Sequence, residues 1–396
     1  MTTNNFPICA DAPRTEAGVH GAQTSTQGPF GAAILAAALL LPGMGTAHAE
    51  AAPERGDISF KYMDYQDSQT GFDRVSVRAP SLSIMTPLAG VWSVEGTVVS
   101  DTVSGASPRY HTAISGASHF NEKRTGADVG ATRYFQDGTL SVGAAFSDEH
   151  DYLSRALSFN GTRSSEDKNT TWSFGISRSH DSINPVNLIV TNQKKDTNSF
   201  LLGVTQVLTP VDIVQLTATY SRGNGYFSDP YKFQDQRPNQ HNETAAMLRW
   251  NHHFAGSDGT SHLSYRYYTD SYEIKAHTFT GEYVQPLADG WTVTPSARFY
   301  TQSAASFYFD PTVNDPFPPG GTVGSGGFMS ADQRLSGFGA LTLGFKVAKQ
   351  LDRDWRIDVK LEEYQQRGSW RLFDGGSPGL APLRAQTLQI GLSRLW

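Results

Sequence analysis

The sequence predicts a transmembrane antiparallel β-barrel of about 16 strands, on three observations. Apolar and polar residues alternate with a period of two through most of the chain after residue 57. Tight turn-forming clusters take turns with longer polar connections. Trp, Tyr and Phe gather at the ends of the apolar stripes, where membrane interfaces collect amphipathic rings.

Taken in chain order, the first apolar run is 31–41 (GAAILAAALLL), followed by Pro42, Gly43 and the Ala47, His48, Ala49 triplet. A short apolar core, a breaker and a small-residue site form a secretory signal peptide, here expected to be cleaved after Ala49. Residues 50–396 then remain as one barrel domain, and the single cysteine, Cys9, leaves with the leader. A mature chain of this kind has neither disulfide nor thiol chemistry.

Strands follow from the alternation. Leu140, Val142, Ala144 and Phe146 alternate with Ser141, Gly143 and Ala145. Trp172, Phe174 and Ile176 repeat the pattern, as do Leu263, Tyr265 and Tyr267. Every second residue from Leu335 to Val347 is apolar or glycine. The cleanest case is 355–362 (WRIDVKLE), where a strand separates four apolar from four charged residues and a helix would mix them. Leu388, Ile390 and Leu392 make the last stripe, which closes on Trp396 and reads as the assembly signal seen by the barrel-assembly machinery. Arg394 falls on the lipid face of that stripe, where an arginine near the headgroups can snorkel.

Connections supply the strand count. Seven short ones lie at 86–90, 136–138, 164–168, 209–212, 255–259, 286–290 and 351–354, each with Asp, Gly or Pro in turn positions. Eight others lie near 67–72, 102–123, 147–151, 181–196, 223–242, 269–272, 303–332 and 367–384. Short periplasmic turns opposed to longer extracellular loops are the outer-membrane pattern. A soluble β-sandwich would carry more Lys and Glu, and less Ser, Thr and Gly, on its polar faces.

Composition agrees by exclusion. No repeated apolar run of about 20 residues exists for a polytopic helical protein. Aromatics make up 11% of the chain, against disorder, and a net charge of −6 gives nucleic acid no electrostatic footing.

Four segments carry a family resemblance: 101–108 (DTVSGASP), 147–152 (SDEHDY), 264–271 (SYRYYTDS) and 330–336 (SADQRLS). They resemble the bacterial family catalogued as domain of unknown function 3570. The resemblance implies an outer-membrane-type barrel and no established activity. The family's company with periplasmic redox and flavin-attachment proteins implies an envelope redox setting.

Chemistry is thinly written. In the loop assigned to 101–108, Asp101, Ser104, Gly105, Ser107 and Pro108 offer oxygen donors of the kind calcium prefers, but also those of a self-bonded turn. Asp148, Glu149 and Asp151 are weak metal candidates beside the simpler reading of a solvated acidic loop. His252 and His253 flank one short turn with His262, but they are adjacent, so a strand sends them to opposite faces and the pair cannot chelate one metal as His-x-His would. Ser118 and His119 neighbour one another only in sequence, and no spacing selects a catalytic triad. No cofactor is expected, and no enzymatic activity.

Arg266, Asp270, Arg298, Arg356, Asp358, Lys360 and Glu362 are expected to face the lumen, where mixed charges either tune a pore or fill it. The aromatics of the 303–332 loop (Phe307, Tyr308, Phe309, Phe317, Phe328) are too many for a solvated tip, which predicts a loop folded inward or over the mouth. The leading expectation for function is a passive conduit in the bacterial outer membrane, contacting lipid and lipopolysaccharide. The alternative is a partner barrel with a filled lumen that scaffolds envelope proteins, and an enzyme barrel comes third.

Overall fold

The computed structural model describes residues 51–70, 72–106, 119–232, 235–311 and 327–396. The expected leader and its expected cleavage site after Ala49 lie outside the described residues. Sixteen strands close on themselves in strict neighbour order, each antiparallel to the next.

The strands are β1 (Asp57–Gln69), β2 (Phe72–Leu88), β3 (Trp92–Ala106) and β4 (His119–Phe135), then β5 (Gly138–Asp148), β6 (Tyr152–Ser164), β7 (Thr170–Ile183) and β8 (Gln193–Thr209). They continue as β9 (Asp212–Gly225), β10 (Gln240–Phe254), β11 (Gly259–Asp270) and β12 (Lys275–Pro286), ending with β13 (Trp291–Gln302), β14 (Phe338–Gln350), β15 (Trp355–Arg367) and β16 (Leu383–Leu395). All seven short turns fall between strands as read from the sequence. The turn at Asp289 and Gly290 has both residues left-handed, φ 58° and 73°, the geometry that matches strand twist.

Two boundaries differ from the sequence reading. Residues 101–106 belong to β3, so the connection beyond it is 107–118, outside the described residues. At the other, Leu335 is not the first residue of a strand. It sits in a short 3₁₀ turn and is buried with Tyr272 and Phe307, and β14 begins at Phe338. Alternation alone cannot tell an outward leucine from one packed under a loop.

The side-chain dyad settles the two faces. Leu157, Ile176, Phe200, Leu202, Leu343 and Leu361 are exposed on the outside of the barrel. That placement is unfavourable in water and favourable against lipid tails. Their sequence neighbours point into the lumen. Near the short turns, outward bases lie over outward aromatics: Arg133 over Trp92 at 5.3 Å, Lys349 over Trp291 at 4.9 Å and Arg394 over Trp355 at 5.3 Å. Arg394 is thus accommodated on the lipid face by stacking, which desolvates its guanidinium against a ring.

Closure between β1 and β16 ends in a reciprocal clasp. The Trp396 amide donates to the Gly56 carbonyl and the Gly56 amide to the Trp396 carbonyl, both at 3.1 Å. A Cβ on Gly56 would come within 2.5 Å of the Trp396 indole. Gly56→Val should therefore loosen the seam by about 1–3 kcal/mol, an overpacking cost. The expected readout is a lower temperature for conversion of the folded electrophoretic band to the unfolded one.

Candidate functional site: the lumen and its capped outer mouth

Lumen walls differ in chemistry around the circumference. On β5 to β9, the inward positions below Asp181 and Lys195 carry no charge and are mostly small or hydroxylated, with Ser158, Ser177, Thr197, Ser199, Thr219 and Ser221 typical and Asn160, Leu201 and Gln215 among the larger neutral ones. Hydroxyls pair across strands, as Ser199 and Ser221 do at 2.8 Å.

The wall from β10 to β16 is charged. Arg266, Arg298, Arg356, Asp358, Lys360 and Glu362 all occupy inward positions, between outward Tyr265, Phe299, Ile357, Val359 and Leu361. Lys360 pairs with Glu362 at 3.0 Å, and Lys346 stands 3.9 Å from Asp358. Arg266 lies over the Tyr268 ring at 5.3 Å and stays exposed to the lumen. Asp270 is also inward but is spent on structure. Its carboxylate accepts the backbone amides of Tyr272 and Ile274 and contacts His241 Nε2 at 2.9 Å, fixing the β11–β12 turn.

Sequence reasoning missed the acids opposite. Glu95 on β3 and Asp128 on β4 face inward, and Glu95 is exposed there. In a ring of 16 strands, β3 and β4 lie eight strands from β11 and β12, across the diameter. Glu95 and Asp128 therefore stand opposite the sector that carries Arg266 and Arg298. Their inward parity was readable from outward Trp92, Val98 and Val129.

Three long connections fold inward over the outer mouth. In residues 226–239, the Phe227 ring covers the inward-facing Gly223, where a Cβ would meet the ring at 2.6 Å. The same ring contacts His241 edge-on at 5.7 Å and lies under Lys195 at 5.7 Å. In the β13–β14 connection, Ala305, Phe307 and Leu335 bury themselves with Tyr272 and Ile274. From 368–382, Leu380 packs on the inward Phe338 and Ala340. The described ends of the 303–332 loop therefore turn inward; Phe317 lies outside the described residues.

Charge knits these loops together. Met329 and Gln236 exchange backbone hydrogen bonds at 2.7 and 2.9 Å. Around them, three acids (Asp229, Asp235, Asp332) meet three bases (Lys232, Arg237, Arg334). Asp332 is the hub: Lys232 approaches at 3.0 Å, Arg237 at 2.7 Å, and Arg334 also binds it. Burial alone would raise the Asp332 carboxyl, but Arg334, Lys232 and Arg237 hold it well below the ordinary range. Burial raises Asp229 despite Arg334 and lowers the Lys232 ammonium despite Asp332. Nothing in sequence spacing marks this set, whose members lie up to 105 residues apart.

Other sequence candidates separate. Asp101 faces inward on β3 and is bound by Arg124 on β4, with Nε–Oδ2 at 2.7 Å. Ser104 and Gly105 are strand residues paired with Asn121 and Phe120, while Ser107 and Pro108 lie outside the described residues. Asp151 accepts a hydrogen bond from the Tyr231 hydroxyl, Glu149 bonds the Tyr152 carbonyl through its amide, and Asp148 ends β5 exposed. Among the described residues, no group of three or more His, Cys, Asp or Glu is placed to hold a metal. His252 contacts Asp212 at 2.7 Å on the outside, and His262 contacts Asn251 at 2.7 Å inside.

A family model described as "Protein of unknown function (DUF3570)" matches residues 31–118, 114–191 and 187–383. No curated protein sequence matches the chain. Among solved structures, the chain is similar to a bacterial polysaccharide outer membrane secretin, at TM-score 0.50 and 9% identity, covering 86% of this chain and 97% of that one. It is also similar to OccD3 (OpdP) of Pseudomonas aeruginosa, at TM-score 0.43 and 9% identity over 90% and 96% of the two chains. The siderophore receptor PirA of Pseudomonas aeruginosa gives TM-score 0.43 and 10% identity over 87% and 68%. The secretin likeness shows the fold, an outer-membrane-type barrel, and nothing of the activity.

Proposed function

The chain belongs to the family described as Protein of unknown function (DUF3570), and we propose from its lumen that it is a capped passive conduit for small polar solutes in the bacterial outer membrane. One observation carries the reading. Glu95 and Arg266 point into a closed barrel and are nevertheless exposed, so the space between the walls has room for water. A salt-bridged plug would bury both. Glu95 and Asp128 face a wall of mixed charge that carries Arg266, Arg298 and Arg356 beside Asp358 and Glu362, and the uneven field across that water orients a dipolar solute and discriminates among ions. The hydroxyl wall of β5 to β9 replaces hydration shells with neutral hydrogen-bonding partners at little cost.

The scaffold reading keeps one specific support, the inward-folded loops, which narrow the outer mouth. A narrowed mouth limits size and rate but leaves the mid-lumen space intact.

Planar-bilayer recording tests the proposal. The folded protein should give reproducible conductance steps. Arg266→Gln with Arg298→Gln should shift the reversal potential toward cation preference, while Arg384→Gln, on the outer face, should not. A folded sample without conductance steps would return the scaffold reading.

A further inference from the structure

The outward face of β6 to β9 changes character toward the long-loop rim. Leu157, Ile176, Phe200 and Leu202 form an exposed apolar wall. Beyond it stand Arg155 on β6, Arg178 and His180 on β7, Lys194 on β8 and Arg222 on β9, all at outward positions. Register aligns Arg155 with His180 and Asp196, and Arg178 with Asn198 and Arg222. With strands about 4.8 Å apart, Arg178 and Arg222 are separated by about 10 Å.

One acid serves this group. Asp196 holds Arg178 at 3.3 Å and His180 at 3.1 Å. Among the described residues, no carboxylate pairs with Arg155, Lys194 or Arg222. Elsewhere on this rim the outward Arg78 has its own partner, Asp64, at 3.5 Å. Bases at the edge of a hydrocarbon layer reach up to the head-group level, where anionic phosphates attract them.

We infer that this patch is a binding site for the phosphorylated head group of an outer-leaflet glycolipid, the lipid A of lipopolysaccharide. Its two phosphates lie at opposite ends of a disaccharide and suit bases spread over four strands. Arginine guanidinium forks match phosphate oxygens in pairs. The apolar wall directly beneath takes the acyl chains. The inference rests on the membrane placement but not on conduction, so a silent channel leaves it standing.

Native mass spectrometry of the folded full-length protein in detergent tests it, with bisphosphorylated lipid A, its dephosphorylated form and phosphatidylglycerol as probes. Bisphosphorylated lipid A should remain bound, and the other two should bind at least about tenfold more weakly. The triple variant Arg155→Gln, Arg178→Gln, Arg222→Gln should lower lipid A binding by a similar factor, and Arg384→Gln should leave it unchanged. Equal binding of the dephosphorylated form, equal binding of phosphatidylglycerol, or full retention by the triple variant overturns the site. If the triple variant does not fold, the wild-type phosphate dependence and the single Arg222→Gln variant decide.

Discussion

Asp332→Asn should open the outer mouth, giving larger single-channel steps than the parent protein and rapid proteolysis within 226–239 and 327–337. The parent cluster balances Asp229, Asp235 and Asp332 against Lys232, Arg237 and Arg334. Removing the hub leaves three buried cations with two acids. Breaking a buried pair from one side costs about 3–5 kcal/mol, because the stranded charge has no water. Loops held by a few hydrogen bonds and one small apolar cluster cannot absorb that. Asp229→Asn should do less, since its carboxylate is held by Arg334 and by the Tyr231 amide, each at 3.0 Å, rather than by three bases, and burial already favours its neutral form. Unchanged conductance and an unchanged digestion pattern in Asp332→Asn would remove the cap from the account.

The same residue predicts an acid limb. The folded Asp332 value lies below the ordinary one, so its stabilisation is complete above about pH 3.9 and is lost as pH falls through the folded value. Asp229 has the opposite sign. Its raised value means that it takes up a proton earlier on acidification, and that uptake favours the folded cap. Opening in the parent should begin only below about pH 4, with no loosening between 5 and 6. Conductance recorded across that range separates the two contributions.

What could be read from the sequence divides by locality. The barrel was legible because each strand's outward neighbour is the same medium, lipid, so an alternating stripe such as 355–362 needs no partner to be interpreted. Tight turns were legible for a related reason: Asp and Gly at 289–290 carry their own left-handed geometry. The cap was not, because its bonds join residues far apart, and Arg237 with Asp332 spans 95 positions. Its only local traces were the aromatics of 303–332 and the acid–base mixture of 330–336. Leu335 shows the limit well. It has the parity of an outward strand residue and the environment of a small core. The transverse arrangement was half legible. Arg266 and Arg298 were placed inward, but pairing them with Glu95 and Asp128 requires the count of strands to be turned into a ring.

Asp101 decides between two chemistries for the family-like segment. As a cation ligand it would lose stability to a chelator and regain it with calcium. As an ion-pair partner it would be indifferent to both. Its carboxylate is bound by Arg124 on the neighbouring strand, and both side chains are nearly covered, at 11% and 9% exposure. Asp101→Ala strands the guanidinium and should cost about 3–5 kcal/mol. Asp101→Leu with Arg124→Met removes both charges and fills the space, so most of the loss should return. The urea midpoint of tryptophan fluorescence in detergent reads both effects, and chelation should move neither the parent nor the double variant. A double variant as unstable as Asp101→Ala would mean the pair is not where the stability resides. A chelator-sensitive parent would instead return the segment to the cation reading, with Arg124 as a competitor for the same oxygens.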